Sequence, residues 1–152
     1  MAKSYQEEQQ DSYLGRGWAE DVFERTIVLD RQGDIAIVSG LYNLSNAIFR
    51  RLKTPLAWYP EYPWYGSRLN EMIGKGNSFE NRELIGTWIE QSLLFEERFV
   101  DGTLDISVDK NARDHRAVDI AISVQVVDYP DPSLFVFSFF LKTGTLVESE
   151  IA

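Results

Sequence analysis

The hydrophobic period of this chain changes at Asp101-Gly102, from spacings of three and four before it to strict alternation after it. A helix-period half followed by a strand-period half restricts the fold to segregated helices packed on a largely antiparallel sheet. Leu104, Ile106 and Val108 alternate with Asp105, Ser107 and Asp109. Val118, Ile120, Ile122, Val124 and Val126 alternate with Asp119, Ala121, Ser123 and Gln125, so both runs read as strands with one wet face. A third strand is expected from Leu134 to Leu141, after the turn residues Asp128-Tyr129-Pro130-Asp131-Pro132-Ser133. In that strand Phe135, Phe137, Phe139 and Leu141 share one face, while Leu134, Val136 and Phe140 populate the other. Such a strand must be covered on both sides or meet another chain.

Two amphipathic helices are expected upstream. From Ser39 as N-cap, Leu41, Leu44, Ile48 and Leu52 recur at helical spacing, and Pro55 forbids continuation past Thr54. The second opens at Asn77 or Ser78 and places Leu84, Ile85, Trp88, Ile89, Leu93 and Leu94 on one wide face. Gly86 inside it costs about 1 kcal/mol against alanine, which suggests close approach of another backbone. Thr26-Ile27-Val28-Leu29 and Ile35-Ala36-Ile37-Val38 flank a turn-rich connector and predict a small hairpin. Residues 1–17 read as a flexible arm, 18–142 as one α+β domain, and 143–152 as a polar tail in which Leu146 and Val147 can still extend the pairing.

At 152 residues the chain is long enough for one ordinary core, and without cysteine it can form neither disulfides nor thiolate metal sites. No apolar run reaches the length of a signal peptide or membrane span, and a formal charge of −9 repels nucleic-acid phosphates. Protein partners are the expectation, with neither nucleic acid nor membrane.

Trp58, Tyr59, Tyr62, Trp64 and Tyr65 place five aromatic rings within eight positions, interrupted by Pro60 and Pro63 and followed by Arg68. These residue types dominate interface energetics because rigid rings bury large areas at low entropic cost. The competing reading is a satellite core, with the loop folding its rings back onto the domain.

Candidate chemistry is sparse. His115, the sole histidine, sits between Asp114 and Arg116 in a charged turn and reads as solvated. Glu96 and Glu97 are adjacent on a helix, pointing about 100° apart, and do not oppose each other across a substrate. Glu96 facing inward and pairing with Arg98 would instead fix the turn into the first strand. Gly74 and Gly76 around Lys75 lack phosphate-loop spacing. No catalytic, cofactor or metal site is expected.

The ordered set Leu14-Gly15-Arg16-Gly17-Trp18, Val38-Ser39-Gly40-Leu41-Tyr42-Asn43-Leu44, Leu52-Lys53-Thr54-Pro55-Leu56, Tyr65-Gly66-Ser67-Arg68-Leu69 and Glu96-Glu97-Arg98 resembles the small baseplate wedge protein of contractile phage tails and related injection particles. The resemblance covers about residues 14–141, and Glu97 stands where that family has proline. It implies a compact α+β domain present in six copies, assembled in the bacterial cytoplasm, joining the larger wedge proteins to the first sheath ring, with the central spike or hub as a further neighbour. It also implies sheath attachment by strand addition. On this basis Trp58, Tyr59, Tyr62, Trp64, Tyr65, Arg68, Glu96 and Arg98 are expected to dock wedge partners. Leu134, Val136, Phe140, Leu146 and Val147 are expected to meet sheath through an open edge at the third strand. Some members carry a lysozyme label, which no residue pattern here supports. The rival readings are a peptidoglycan glycosidase, with Glu96 or Glu97 as acid and Asp101 or Asp105 as second carboxylate, and a carbohydrate-binding module stacking sugars on Trp58 and Trp64.

Overall fold

The computed structural model describes residues 13–20 and 26–151, and the chain divides into two compact units, residues 1–47 and 48–152. In the first unit, β1 (Arg16–Trp18) pairs antiparallel with β2 (Ile37–Ser39). The expected hairpin is present: Leu29 bridges Ile35, and the Ala36 amide donates to the Val28 carbonyl. Its turn is closed by Asp30, whose Oδ1 accepts from the Gln32 and Asp34 amides. Of the arm expected over 1–17, residues 1–12 lie outside the described residues, and the rest is built in. Leu14 is buried and its carbonyl accepts a 2.9 Å hydrogen bond from Asn43 Nδ2. Gly17 leaves room for Asn43: a Cβ there would lie 2.3 Å from Asn43 Oδ1, so the Asn43 side chain would have to shift.

Helix α1 (Gly40–Lys53) buries Leu44, Ile48 and Leu52, as the spacing predicts, and leaves Tyr42 exposed. It stops before Pro55, with the Thr54 amide and hydroxyl both donating to the Arg50 carbonyl.

In the second unit, β3 (Asp105–Lys110), β4 (Ala117–Val124), β5 (Ser133–Phe140) and β6 (Leu146–Ile151) form an antiparallel meander in sequence order. The register stacks Val108, Ile120 and Phe137 across one face, with Ile106, Ile122 and Phe135 in the next row. Phe135, Phe137 and Phe139 are fully buried, each stabilising the fold by about 2–3 kcal/mol. Helix α2 (Phe79–Leu93) is capped by Ser78, whose side chain accepts from the Asn81 amide. Its buried stripe is Ile85, Ile89, Ser92 and Leu93, narrower than the sequence suggests; Leu84 and Leu94 face outward.

In the tail, Leu146 and Val147 extend the pairing as the sequence allows, within a fourth C-terminal strand, β6, whose Leu146 is buried against the row of Phe139. One expectation is corrected. Because β6 pairs with one side of β5 and β4 with the other, the strand from Leu134 to Leu141 has no open edge. Among the described residues, the outer strands of the sheet are β3 and β6.

Candidate partner-binding site

The aromatic loop is a closed excursion with a tight neck. Pro55 bridges Ser67, the Leu56 amide donates to the Ser67 carbonyl, and the Ser67 amide donates to the Thr54 carbonyl. Ser67 Oγ adds a 2.6 Å bond to the carbonyl of Leu52. Gly66, at φ +108°, completes the neck; a Cβ there would stand 2.5 Å from the Thr54 oxygen, so no other residue fits. Ser92 Oγ donates to the Gly66 carbonyl at 2.6 Å, anchoring the loop on the last turn of α2. Ala57, at φ 62°, holds a left-handed conformation inside the loop.

Beyond the neck the rings pack on one another and face solvent. Tyr59 meets Tyr65 edge-on at 5.9 Å, and Tyr62 meets Trp64 edge-on at 5.5 Å. Trp58 is 67% exposed, Trp64 58% and Tyr62 54%, so the satellite-core reading does not describe them. Tyr65 is half-buried beneath the Arg51 guanidinium, 5.2 Å from its ring centre. Arg68 lies over the Trp88 ring at 4.6 Å and makes a two-point pair with Glu71, at 2.6 and 3.2 Å.

Below the loop lies a carboxylate corner. The Glu96 side chain, 8% exposed, receives Arg98 Nε at 2.7 Å and Nη2 at 3.0 Å, with Arg51 Nη2 at 3.5 Å. Burial alone would raise the Glu96 pKa, but the Arg98 hydrogen bonds and the two guanidinium charges outweigh it and hold the group below its ordinary value. Arg51 also donates to the Ser92 carbonyl at 3.1 Å, so one guanidinium touches loop, helix end and corner. The inward-facing Glu96 expected from sequence is therefore observed. Arg51 and Ser92 were not legible there, because their partners lie far away in the chain. The exposed pair Leu94 and Phe95, just past α2, was likewise missed: helical spacing assigned Leu94 inward, and the helix ends before it.

The residues assigned to sheath divide differently. Leu134, Val136, Phe140 and Val147 are half-buried on the sheet face opposite the core, whereas Leu146 is in the core. On the same outer face Asp119 accepts from Asn111 Nδ2 and Ser138 Oγ. His115 is exposed, as expected. Among the described residues no His, Cys, Asp or Glu cluster is arranged to hold a metal, and no helix is long and apolar enough to cross a membrane.

No family model and no curated protein matches this chain. Among solved structures it is similar to a protein from Geobacter sulfurreducens described as a tail lysozyme, with a TM-score of 0.56 at 18% identity, over 77% of this chain and 97% of that one. At that identity the similarity shows a shared fold.

Proposed function

We propose that this chain is a structural component of a contractile tail or injection particle, joining larger baseplate wedge proteins to the first sheath ring. The observation that carries the reading is the rigidly necked loop that presents Trp58, Tyr62 and Trp64 to solvent. A loop held this firmly loses little entropy on docking, and its rings supply the desolvated anchors typical of a permanent contact. Leu94 and Phe95 add apolar area next to the Glu96 corner. The sequence resemblance and the tail-protein fold neighbour point the same way.

Glycosidase chemistry is disfavoured by the same corner. A general acid needs a raised pKa, and Glu96 is held down by two arginines. The exposed tryptophans do favour a second reading, sugar stacking. Co-expression with the large wedge and sheath proteins of the same particle tests the proposal: the wild-type chain is expected to co-purify with wedge protein, and the Trp58→Ala/Trp64→Ala variant to lose it. Undiminished co-purification of that variant, or clearance of purified peptidoglycan that Glu96→Gln abolishes, would refute it. Glycan binding lost on Trp64→Ala would install the sugar-binding alternative.

A further inference from the structure

The small sheet of the first unit turns its larger side chains to solvent. Trp18 pairs directly with Ile37, Leu29 bridges Ile35, and Glu20 bridges Ile27. Opposed residues project to the same side, as do residues two apart along a strand. Those two rules place Trp18, Ile27, Leu29, Ile35 and Ile37 together, and all five are exposed, Trp18 by 60% and Ile37 by 65%. On the other side stand Gly17, which lies against Asn43, and the half-buried Ala36 and Val38. A chain working alone would favour the reverse, with isoleucine inward and alanine outward.

The exposed parts of these five side chains come to roughly 500 Å², near the top of the range for the largest apolar patch on a typical monomer. Two such faces in contact would withdraw about 1,000 Å² from water, the threshold of a specific interface.

Charge selects the partner. Among the described residues of this unit, Arg16 and Arg31 nearly balance Glu20, Asp30 and Asp34, although the whole chain carries −9. A strongly charged partner therefore finds little field here to attract it. Along β1 and its continuation, Arg16, Trp18 and Glu20 alternate on the apolar side, with the cation at one end and the anion at the other. A two-fold axis lying between two facing sheets and crossing β1 at Trp18 sets Arg16 of one copy opposite Glu20 of the other, twice, with the tryptophans at the centre. The arrangement is self-complementary and closed.

We infer that this face joins two copies of the chain, face to face, in a two-fold dimer. Burial of Trp18, Ile37 and their neighbours supplies the affinity, and the Arg16–Glu20 pairs fix the orientation. The inference stands apart from the assembly reading.

Sedimentation velocity on the full chain tests it. The weight-average mass is expected to rise from 17.5 kDa toward twice that value as concentration goes from about 1 to 300 μM. Trp18→Ala and Ile37→Lys are each expected to weaken association roughly tenfold or more. Arg16→Glu and Glu20→Arg singly should weaken it severalfold, and the double variant Arg16→Glu/Glu20→Arg, which restores the opposed charges, should recover it. Trp58→Ala/Trp64→Ala should dimerise as the wild type does. Should Ile37→Lys fail to fold, oxidative footprinting of the wild type decides: Trp18 loses reactivity as concentration rises, while Trp58 and Trp64 keep theirs. A monomer throughout the range, a dimer that Ile37→Lys leaves intact, no recovery in the charge-swapped double variant, or loss of the dimer in the Trp58/Trp64 variant overturns the inference. If the wild type stays monomeric and Ile37→Lys loses wedge protein in co-expression, the face belongs to that partner; the inference then falls and the assembly reading stands.

Discussion

Ser92 Oγ and the Gly66 carbonyl lie 2.6 Å apart, and this one bond ties the last turn of α2 to the neck of the aromatic loop. Ser92→Ala leaves a buried carbonyl without its donor and is expected to cost about 1–3 kcal/mol. Gly66→Ala combines a positive φ with a backbone collision and should cost more than Ser92→Ala. Urea denaturation of both variants checks the order; a Gly66→Ala protein as stable as wild type would contradict the neck geometry.

Glu96→Gln breaks a buried ion pair while leaving Arg98 and Arg51 uncompensated, with an expected loss on the order of 3 kcal/mol. The group's folded pKa is lowered, so its stabilisation is present above its ordinary unfolded pKa and is lost as pH falls through the folded value. The wild type is therefore expected to lose stability on acidification below the ordinary glutamate range, and Glu96→Gln to show a flatter profile there. Thermal melts across that range measure it.

Gly86→Ala is expected to stabilise the protein by about 0.5–1 kcal/mol, because the helix gains propensity and the new methyl meets Val108 without compression. This reverses the sequence expectation of a tight backbone contact. Loss of stability in a denaturant melt would restore that expectation.

Trp58→Ala and Trp64→Ala remove large side chains that are 67% and 58% exposed. Each should change unfolding free energy by less than about 1 kcal/mol. Chemical denaturation separates this from a buried-ring loss of about 3–5 kcal/mol.

The elements legible in the sequence were those whose period speaks locally. Leu44, Ile48 and Leu52 announce α1, and the alternation from Leu104 to Val124 announces β3 and β4 because each strand has one dry face. Strand β6 was muted, since Leu146 is its one apolar side chain observed in the core and Glu148 lies inside the paired run. Leu14 and Gly17 fall within the stretch that reads as a flexible arm because the residue they meet, Asn43, is far along the chain. The site divides the same way. Clustering of rings marked the loop, whereas the Arg51 guanidinium that steadies Tyr65 and Glu96 is joined to them by folding alone.

Asp105 and Asp109 sit two residues either side of Ser107 on β3, at positions whose backbone is committed to β4. If two molecules docked outer rim to outer rim about Ser107, each aspartate would confront the other molecule's aspartate in the close, non-hydrogen-bonded rows of the new ladder, where like charges repel most strongly. The rim is thus biased against polymerising with itself, and edge-to-edge filaments of the free protein are discouraged.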